Sequence, residues 1–482
     1  MFPTLATLFG NGWMYYILAT LYALTVVGIV IVIISENRNP VKSLAWVTVL
    51  LLLPVVGILL YVFFGRSIKN KRMISRRNRR RLKKRELRLP RDRRPEGLTM
   101  ESEQKIRLGR SLTGAPFHPG NDITIFTCGR EKFDALKDDL RRARRSICLQ
   151  YYIINDDKAG RELRDILVER ARAGVVVRVI YDHVGSWGTP NRFFREMSDA
   201  GVQVFPFFKV TFPQLGTKVN WRNHRKICVI DGAIGYIGGM NIADLYMDGG
   251  PKFALWRDTH ARVCGPIVAS LLYSFTVDWN FMGQPLIDDI ADPMALYGKG
   301  DAGMQLLATG PTSQWSDIEF LFQKAIATAK RRIYIQTPYF LPTDSLLKTL
   351  QSAAMSHVDV RIMIPQRSDS RMLTYASESY ISECLRSGIK FYRYTAGMLH
   401  SKTILVDDEF STIGSSNFDF RSFEHNFEAN LFIYSRSVNE RMAEIFRNDM
   451  HQCERVVPAV WRRRPLRDKA MQSLLRLLSP IL

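Results

Sequence analysis

The chain has 482 residues, which exceeds the usual size of a single core and predicts two or three folded units. Its 46% hydrophobic and 24% charged residues argue against bulk disorder, and its six cysteines show neither a C-x-x-C pair nor the spacing of a metal site. The formal net charge of +22 predicts a polyanionic partner, either nucleic acid or anionic lipid headgroups.

Two apolar runs near the N-terminus predict a membrane hairpin. Residues 13–34 and 44–64 carry no charge, and each is long enough to cross a hydrocarbon core of about 30 Å as a helix. Two buried core helices or a cleavable signal peptide are the alternatives, but no Lys or Arg precedes Trp13 as a signal peptide requires. We therefore expect residues 1–65 to form a two-helix transmembrane hairpin.

A strongly basic segment follows the second apolar run. From Arg66 to Arg94 the chain has 16 basic residues against Glu86 and Asp92, a local net charge of +14. Because Lys and Arg beside a membrane segment stay on the cytoplasmic side, we expect the N-terminus and the large C-terminal region to be cytoplasmic. The same charge attracts anionic lipid. Residues 66–108 are predicted to be a basic juxtamembrane linker.

The rest of the chain contains an internal duplication. The echoed segments are RRSICLQYYI (144–153) and RRIYIQTPYF (331–340), ARAGVVVRVIYD (171–182) and MSHVDVRIMIP (355–365), and DAGVQVF (199–205) and RSGIKFY (386–392). Strand-like runs alternate with helical segments in both copies. This order predicts an α/β fold of two tandem domains, residues 109–292 and 293–482, each with a mixed sheet flanked by helices.

A third echo carries the motif H-x-K-x4-D in both copies, followed by an asparagine 17 residues after the histidine. The first copy has His224, Lys226, Asp231 and Asn241, and the second has His400, Lys402, Asp407 and Asn417. A lone histidine is usually a core residue. Two identical spacings at matching places in a duplication instead indicate a functional motif.

The residue types of the motif suit phosphoryl transfer. Residues i and i+2 of a strand share a face, so each histidine lies beside its lysine. One histidine can attack phosphorus while the other protonates the departing alkoxide, and the lysines and asparagines can bind the non-bridging oxygens. Asp231 and Asp407 are counted with the catalytic motif, but they have the opposite parity, and we expect them to position local structure more than to touch substrate. Neither a metal nor another cofactor is expected.

An attacking histidine needs an acceptor, usually a carboxylate, at its second ring nitrogen. Asp258, in LWRDTHARVCG, follows the first motif, and Glu428, in FEHNFEANLFIY, follows the second at a comparable distance. Both are candidates for orienting a histidine. The alternative for each is an ordinary surface carboxylate.

These residues resemble the phospholipase D superfamily, whose hallmark is a paired H-x-K-x4-D followed by G-[GS]-x-N. The glycines, serine and asparagines of that ending are Gly238, Gly239 and Asn241 in the first copy and Gly414, Ser415 and Asn417 in the second. Within the superfamily, the apolar N-terminal runs, IQTPYFLP and SSNFDFRSFEHNFEAN resemble the bacterial cardiolipin synthases.

The resemblance covers essentially the whole chain and implies one pseudo-twofold active site formed by both halves. It implies a phosphatidyl-histidine intermediate and transfer of the phosphatidyl group to a second phosphatidylglycerol, with release of glycerol. His224 is then the nucleophile and His400 the acid, two roles that the residues alone leave open. Phosphatidylglycerol and other anionic phospholipids are the expected partners, and a multi-pass position in the bacterial cytoplasmic (inner) membrane is expected.

Three other functions stay open. A nuclease or phosphodiesterase of the same superfamily would suit the basic charge, but that charge lies beside a membrane segment rather than in the repeats, so nucleic acid is not an expected partner. A hydrolytic phospholipase D would differ only in using water as the acceptor. A membrane scaffold without activity would not need two matched histidine motifs.

The C-terminal residues 462–482 form a basic amphipathic stretch that includes four leucines, Leu474, Leu475, Leu477 and Leu478. Two placements stay open for it: the lipid headgroup region or the protein's own core.

Overall fold

The computed structural model describes residues 12–35, 40–53, 55–61, 73, 75, 77–78, 97–210, 220–287 and 300–479. The chain divides into two compact units, Met1–Ser67 with Val210–Asn220, and Ile68–Lys209 with Trp221–Leu482. Most of the predicted basic linker and the predicted boundary at 292–293 lie outside the described residues.

The described residues of the first unit form three apolar helices, α1 (Gly12–Ser35), α2 (Pro40–Leu52) and α3 (Val56–Leu60). Within the described part of the chain, α1 is the one helix long and apolar enough to cross a membrane, over Tyr16–Ile33. Its leucines at positions 21 and 24 are exposed in the protein, as the lipid-facing side chains of a spanning helix would be.

Helices α1 and α2 pack on each other. Val26, Ile33, Leu50 and Tyr61 form a small buried cluster in this unit. The hydroxyl of Tyr22 on α1 donates a hydrogen bond to the carbonyl of Leu50 on α2, at 3.1 Å. The two predicted apolar segments are therefore paired with each other.

The second apolar run differs from the single helix predicted over 44–64. Helix α2 ends at Leu52 and α3 begins at Val56, and Val55 between them has a positive φ of 64°. The sequence has Pro54 at this break, and proline lacks the N–H that a continuing helix requires. Residues 62–64 of the predicted span lie outside the described residues.

The second unit alternates strands and helices along both repeats. The elements up to residue 281 are α4 (Met100–Thr113), β1 (Phe117–Phe126), α5 (Gly129–Arg141), β2 (Ser146–Tyr151), α6 (Lys158–Arg172), β3 (Val176–Asp182), α7 (Asn191–Asp199), β4 (Gln203–Phe207), β5 (Ile227–Ile230), β6 (Ile234–Gly238), α8 (Asp244–Asp248), β7 (Trp256–Arg257), β8 (His260–Cys264) and α9 (Ile267–Phe281).

The elements from residue 302 onward follow the same order of main strands and helices, with additional short strands and helices. They are β9 (Ala302–Thr309), α10 (Asp317–Ala327), β10 (Arg332–Gln336), β11 (Phe340–Leu341), α11 (Asp344–Met355), β12 (Asp359–Pro365), α12 (Arg371–Glu378), α13 (Ile381–Arg386), β13 (Lys390–Tyr394), β14 (Met398–Leu399), β15 (Thr403–Val406), β16 (Phe410–Gly414), β17 (Phe418–Asp419), α14 (Phe420–Glu424), β18 (Glu428–Tyr434), α15 (Arg436–Met450), β19 (Cys453–Arg455), α16 (Pro458–Arg462) and α17 (Leu466–Leu477).

Over residues 97–210, 220–287 and 300–479, fifteen strands form one mixed sheet that runs through both repeats, in the order β19-β13-β12-β10-β15-β16-β18-β9-β1-β8-β6-β5-β2-β3-β4. At its centre β1 and β9 pair antiparallel, with Phe117 opposite Gln305. The six strands outward from β1 correspond in order to the first six outward from β9, as a pseudo-twofold axis requires, and β19 is an additional edge strand of the second half. The predicted α/β fold of two related halves is confirmed, and the halves share a single sheet.

The sheet strands are buried because helices flank the sheet. All six residues of β2 and all seven of β18 are buried, which explains their nearly continuous apolar sequences. Separate apolar cores lie around Leu149 in the first half and Ile335 in the second, and a third joins Ile237 of the first half to Leu431 of the second. The two halves therefore share core residues as well as the sheet.

Helix α4 begins inside the segment predicted as a linker. The Thr99 side chain caps the helix by accepting from the N–H of Ser102, and both hydroxyls donate to the Glu409 carboxylate, at 2.6 and 2.5 Å. Glu409 belongs to the second half, so α4 is anchored there. The C-terminal part of the predicted linker is thus folded structure.

Candidate active site

Each motif histidine lies just before an interior strand of the sheet, His224 before β5 and His400 before β15. The backbone N–H of His224 donates to the carbonyl of Phe427 at 2.9 Å, and that of His400 donates to the carbonyl of Arg257 at 2.7 Å. Each histidine is therefore fastened to a segment of the other half.

The His224 ring is oriented by Glu428. Its Nδ1 lies 3.0 and 3.1 Å from the two carboxylate oxygens of Glu428, which is fully buried. The same carboxylate accepts from the Ser415 hydroxyl and from the Asn426 amide. Tyr152 packs edge-on to the imidazole with 5.0 Å between ring centroids. With Nδ1 held by the carboxylate, Nε2 is the nitrogen left for chemistry.

Asp258 occupies the corresponding place beside His400. The Nδ1 of His400 lies 2.6 Å from Oδ2 of Asp258 and 2.8 Å from Nζ of Lys402. One ring nitrogen has one hydrogen-bonding position, and the shorter contact assigns it to the carboxylate. The Trp256 and Tyr246 rings lie 5.0 and 6.0 Å from the imidazole and close the pocket around it.

The two orienting carboxylates are exchanged between the halves: the first-half histidine uses a second-half glutamate, and the reverse holds for the other pair. The second position of G-[GS]-x-N, which is Gly239 in one copy and Ser415 in the other, explains how each carboxylate fits. A Cβ at Gly239 would lie 2.1 Å from Asp258 Oδ1, so only glycine leaves room for that carboxylate. The equivalent residue of the second copy, Ser415, instead donates its hydroxyl to Glu428.

The motif lysines are buried beside the histidines. Nζ of Lys226 donates to the carbonyl of His224 at 2.6 Å, and Nζ of Lys402 donates to the carbonyl of His400. Burial lowers the pKa of Lys402 to about 8 and holds that of Lys226 well below its usual value, while Glu428 and Asp258 oppose both shifts. An ammonium has three N–H donors, so each lysine has further donors for a bound anion.

Charges in the two half-sites act on one another. The charge of Lys402 lowers the pKa of both His224 and Lys226, and the Glu428 carboxylate raises that of Lys402. Such coupling requires proximity, because the interaction of buried charges falls with distance. The duplicated motif thus forms one electrostatic site.

Burial disfavours the charged form of both histidines. Burial lowers the pKa of His224 to about 4 although Glu428 opposes the shift, and burial together with Lys402 lowers that of His400. Burial alone would raise the pKa of Glu428, but His224 and Lys226 outweigh it and hold the pKa at about 2. A neutral imidazole with its Nδ1–H on a carboxylate has an available lone pair on Nε2.

The motif aspartates lie away from the histidines, at the far ends of their strands. Asp231 follows β5 with a φ of 54°, and its carboxylate accepts from the backbone N–H groups of Arg144, Arg145 and Ser146 at 2.7–2.9 Å. These groups lie immediately before and at the first residue of β2. The aspartate therefore fastens the start of a neighbouring strand and does not touch the site.

Asp407 repeats this arrangement in the second half. Its φ is 51°, and its carboxylate accepts from the N–H groups of Lys330, Arg331 and Arg332 at the start of β10, at 2.7–3.1 Å. The seven-residue spacing from histidine to aspartate thus measures one strand, from the site to the opposite turn.

The motif asparagines already have protein partners. Nδ2 of Asn241 donates to the Tyr246 hydroxyl at 2.6 Å, and its Oδ1 accepts from the N–H of Ile153 at 3.2 Å. Nδ2 of Asn417 donates to Asp419 at 3.1 Å. Each NH₂ group retains a second N–H, which is the only donor left for the predicted phosphate contact.

The motifs gave no indication of a buried ion pair beneath His224. Arg225 donates to both oxygens of Asp278 on α9, at 2.5 and 2.6 Å, and its Nε donates to the carbonyl of Glu428 at 3.1 Å. Nε2 of Gln150 on β2 also donates to Asp278, at 2.5 Å. The pair supports both the His224 segment and the residue that orients it.

A matching pair lies beneath His400. Arg257 donates to Asp449 on α15 at 2.8 and 3.0 Å, to the carbonyl of Asp258 at 2.7 Å and to the Ser401 hydroxyl at 3.0 Å. Nε2 of Gln336 donates to Asp449 at 2.7 Å. Gln150 and Gln336 are polar residues inside the apolar strands of the duplication, and this pattern could have indicated a buried polar partner. Nothing in the sequence indicated that Arg225 pairs with Asp278 or Arg257 with Asp449.

A sequence profile described as the phospholipase D-like domain of cardiolipin synthase matches the chain twice, over residues 136–249 and 322–450. A second profile, described as the N-terminal region of phospholipase D and nuclease proteins, matches residues 23–66. Each of the two domain matches includes one H-x-K-x4-D motif. Together with helix α1, the N-terminal match indicates membrane association.

Curated relatives match almost the full length. A cardiolipin synthase of Halalkalibacterium halodurans is 38% identical, with 98% of this chain and 95% of that protein covered. Cardiolipin synthase 2 of Bacillus anthracis is 39% identical over 94% of this chain and 89% of its own.

Among solved structures, a phosphatidylserine synthase of Haemophilus influenzae superposes with a TM-score of 0.59 at 16% identity, covering 78% of this chain and 98% of its own. This likeness supports the tandem fold. With the family match over both repeats and the full-length relatives, the chain is a phosphatidyltransferase of the phospholipase D superfamily and belongs to its cardiolipin synthase family.

Proposed function

We propose that this protein synthesises cardiolipin from two phosphatidylglycerol molecules, with glycerol as the second product, through a phosphatidyl-histidine intermediate. One observation carries the proposal: two buried histidines, His224 and His400, each have Nδ1 on a carboxylate of the other half and a lysine alongside. The names of the full-length relatives supply the substrate class.

In the first step, Nε2 of His224 attacks the phosphorus of one phosphatidylglycerol. The bond from phosphorus to the headgroup glycerol oxygen breaks, and His400 gives its proton to that oxygen, so glycerol leaves. Glu428 stabilises the positive charge that grows on the attacking imidazole. The phosphatidyl group is now bonded to His224.

In the second step, neutral His400 removes a proton from the headgroup hydroxyl of a second phosphatidylglycerol. The resulting oxygen attacks phosphorus, the bond to His224 breaks, and cardiolipin leaves. His400 then holds the proton needed for the next cycle. The steps balance without any further reactant.

The negative charge of the substrate favours the protonated form of His400, which acts as the acid. A phosphodiester anion between the motif lysines, Lys226 and Lys402, neutralises part of their charge, and those charges help to lower the histidine pKa values. Binding the anion therefore raises the pKa of His400 toward the working pH. Asn241 and Asn417 contribute their remaining N–H groups to the phosphate oxygens.

At the membrane, we propose that residues 13–34 and 44–64 form a two-pass hairpin with both ends in the cytoplasm. The basic run after Phe64 supports this orientation, because Lys and Arg are retained on the cytoplasmic side. The catalytic region then faces the cytoplasm, where it meets phosphatidylglycerol of the inner leaflet.

The test uses the full-length protein in mixed micelles with phosphatidylglycerol labelled in the acyl chains and in the headgroup glycerol. Cardiolipin and free glycerol in equal amounts are expected, and His224→Ala and His400→Ala should each lower the rate by at least about 10³-fold. His451→Ala, at an exposed histidine, is the matched control. Phosphatidic acid as the sole lipid product would indicate hydrolysis, and no product at all would contradict the proposal.

A further inference from the structure

The C-terminal helix α17 is attached to the protein through its polar side. Gln472 is buried, donates to Glu378 at 3.0 Å and accepts from Nε of Arg464 at 2.8 Å. Arg476 donates to Glu383 at 2.7 Å. Both acceptors belong to second-half helices, α12 and α13, so a specific polar interface fixes which side of α17 faces outward.

The outward side of α17 is a ridge of apolar residues. Leu466, Leu474 and Leu477 are 80%, 56% and 77% exposed. With exposed Ala470 they occupy positions i, i+8, i+11 and i+4, which share one face of a helix. Leu475, by contrast, is buried in the second-half core. Helix α17 therefore packs Leu475 onto the protein and turns the stripe of Leu466, Ala470, Leu474 and Leu477 away from it.

This orientation is the reverse of that expected for a helix on the surface of a soluble domain. A surface helix normally buries its apolar face and exposes its charges, and a contiguous exposed apolar ridge usually marks an interaction surface. The hydrogen bonds of Gln472 and the ion pair of Arg476 would break if the helix rotated to bury its leucines. We therefore expect the leucine ridge to contact an apolar surface outside this domain.

Cations flank the ridge. Arg462 and Arg463 are exposed just before α17, and the Arg467 side chain on its first turn is 88% exposed. These charges suit anionic headgroups, whereas a second copy of the chain docked on the same face would bring an identical set of arginines against them. We propose that α17 is an interfacial helix, with its leucine ridge in the acyl-chain boundary and its arginines among anionic headgroups.

Its attachment links this helix to the active site. Helix α12, which holds α17 through Glu378, follows Asp369 closely in the chain. The Asp369 carboxylate accepts from the Tyr339 hydroxyl at 2.7 Å, and its charge raises the pKa of His400. An interfacial α17 therefore holds lipid one helix away from the pocket, independently of which reaction the pocket performs.

The direct test is photo-crosslinking of the full-length protein in nanodiscs that contain labelled phosphatidylglycerol. A benzophenone amino acid replaces Leu474 on the ridge or, as the matched control, Met355, which is 71% exposed at the end of α11. Labelled lipid should attach at position 474 and not at 355. No adduct at 474, equal adducts at both positions, or a protein dimer crosslinked through 474 would overturn the proposal.

A kinetic test separates this proposal from the proposed chemistry. Leu474→Ser with Leu477→Ser should raise the apparent KM for phosphatidylglycerol in bilayers about tenfold, because two inserted leucines are lost. Turnover of a monomeric short-chain phosphatidylglycerol should not change. The control variant Met355→Ser should change neither the apparent KM in bilayers nor the turnover of the monomeric substrate. Equal losses with bilayer and monomeric substrates would contradict an interfacial role.

Discussion

At the residue scale, each histidine depends on a carboxylate that belongs to the other half. Asp258 and Glu428 were predicted as orienting candidates from their places after the motifs, and the structure puts them beside His400 and His224 respectively. The exchange between halves was not predictable, because it depends on contacts across more than a hundred residues. The motif spacing alone indicates which residue types meet, and only the fold determines which copies do.

Removing the charge of Asp258 or of Glu428 should shift a different limb of the kcat/KM profile against pH. Asp258 raises the pKa of His400, so Asp258→Asn lowers it and the protonated acid is lost at a lower pH. The basic limb of kcat/KM should therefore move to lower pH. Glu428 raises the pKa of His224, so Glu428→Gln keeps that nucleophile neutral to lower pH and should move the acidic limb down.

Both variants should also lose about 10²–10⁴-fold in kcat, because the amides no longer fix the ring tautomers or stabilise the charged ring. The measurement is kcat/KM against pH for the two variants and for the native chain in the same micelles. If Asp258→Asn moved the acidic limb and Glu428→Gln the basic one, the roles of nucleophile and acid would be exchanged.

The motif aspartates give a second prediction at this scale. Asp231→Ala removes the acceptor of three backbone N–H groups at the start of β2, which should lower the free energy of unfolding by about 2 kcal/mol. The kcat of the folded fraction should stay near the native value. Urea unfolding in detergent and active-site-normalised turnover measure the two effects, and a collapse of kcat at native stability would contradict a structural role.

At the element scale, helices α9 and α15 brace the site through Asp278 and Asp449. Each aspartate joins a glutamine of the duplicated strand to an arginine next to an active-site residue. The strands and helices were predictable from their apolar periods, and so was the burial of the strands. The ion pairs were not, since Arg225 and Arg257 occupy non-equivalent places in the two copies.

Removing one partner of the Arg225–Asp278 ion pair should lower the free energy of unfolding, whereas replacing both partners by apolar residues should restore most of it. Asp278→Asn leaves the buried Arg225 charge without its carboxylate and should lower the free energy of unfolding by about 3 kcal/mol. The double variant Arg225→Met with Asp278→Leu should recover most of that stability but not kcat, because Arg225 also holds the carbonyl of Glu428.

Unfolding free energy and kcat are measured for the single and double variants in the same detergent. A double variant as unstable as Asp278→Asn, or one with native kcat, would contradict the brace. The first result would show that the unpaired charge of Arg225 is not what destabilises Asp278→Asn. The second would show that catalysis does not depend on the hydrogen bond from Arg225 to the carbonyl of Glu428.

At the scale of the whole molecule, a single sheet places two half-sites on either side of a pseudo-twofold axis. The duplication in the sequence predicts the two halves, and the antiparallel β1–β9 pair at the centre joins them. The apolar N-terminal unit was predicted as two spans, and the break between α2 and α3 shows what a hydropathy pattern omits: a run without charges says nothing about where its helix is interrupted.

The central claim is that His224 attacks phosphorus and His400 supplies and removes the proton. A phosphatidyl ester of p-nitrophenol tests it directly, because nitrophenolate leaves without an acid. With His400→Ala, we expect a burst of about one nitrophenolate per enzyme, because the second step lacks its base. A phosphatidyl adduct on His224 should then be found by mass spectrometry after an alkaline quench. A burst from His224→Ala, or an adduct on His400 in the native chain, would contradict it.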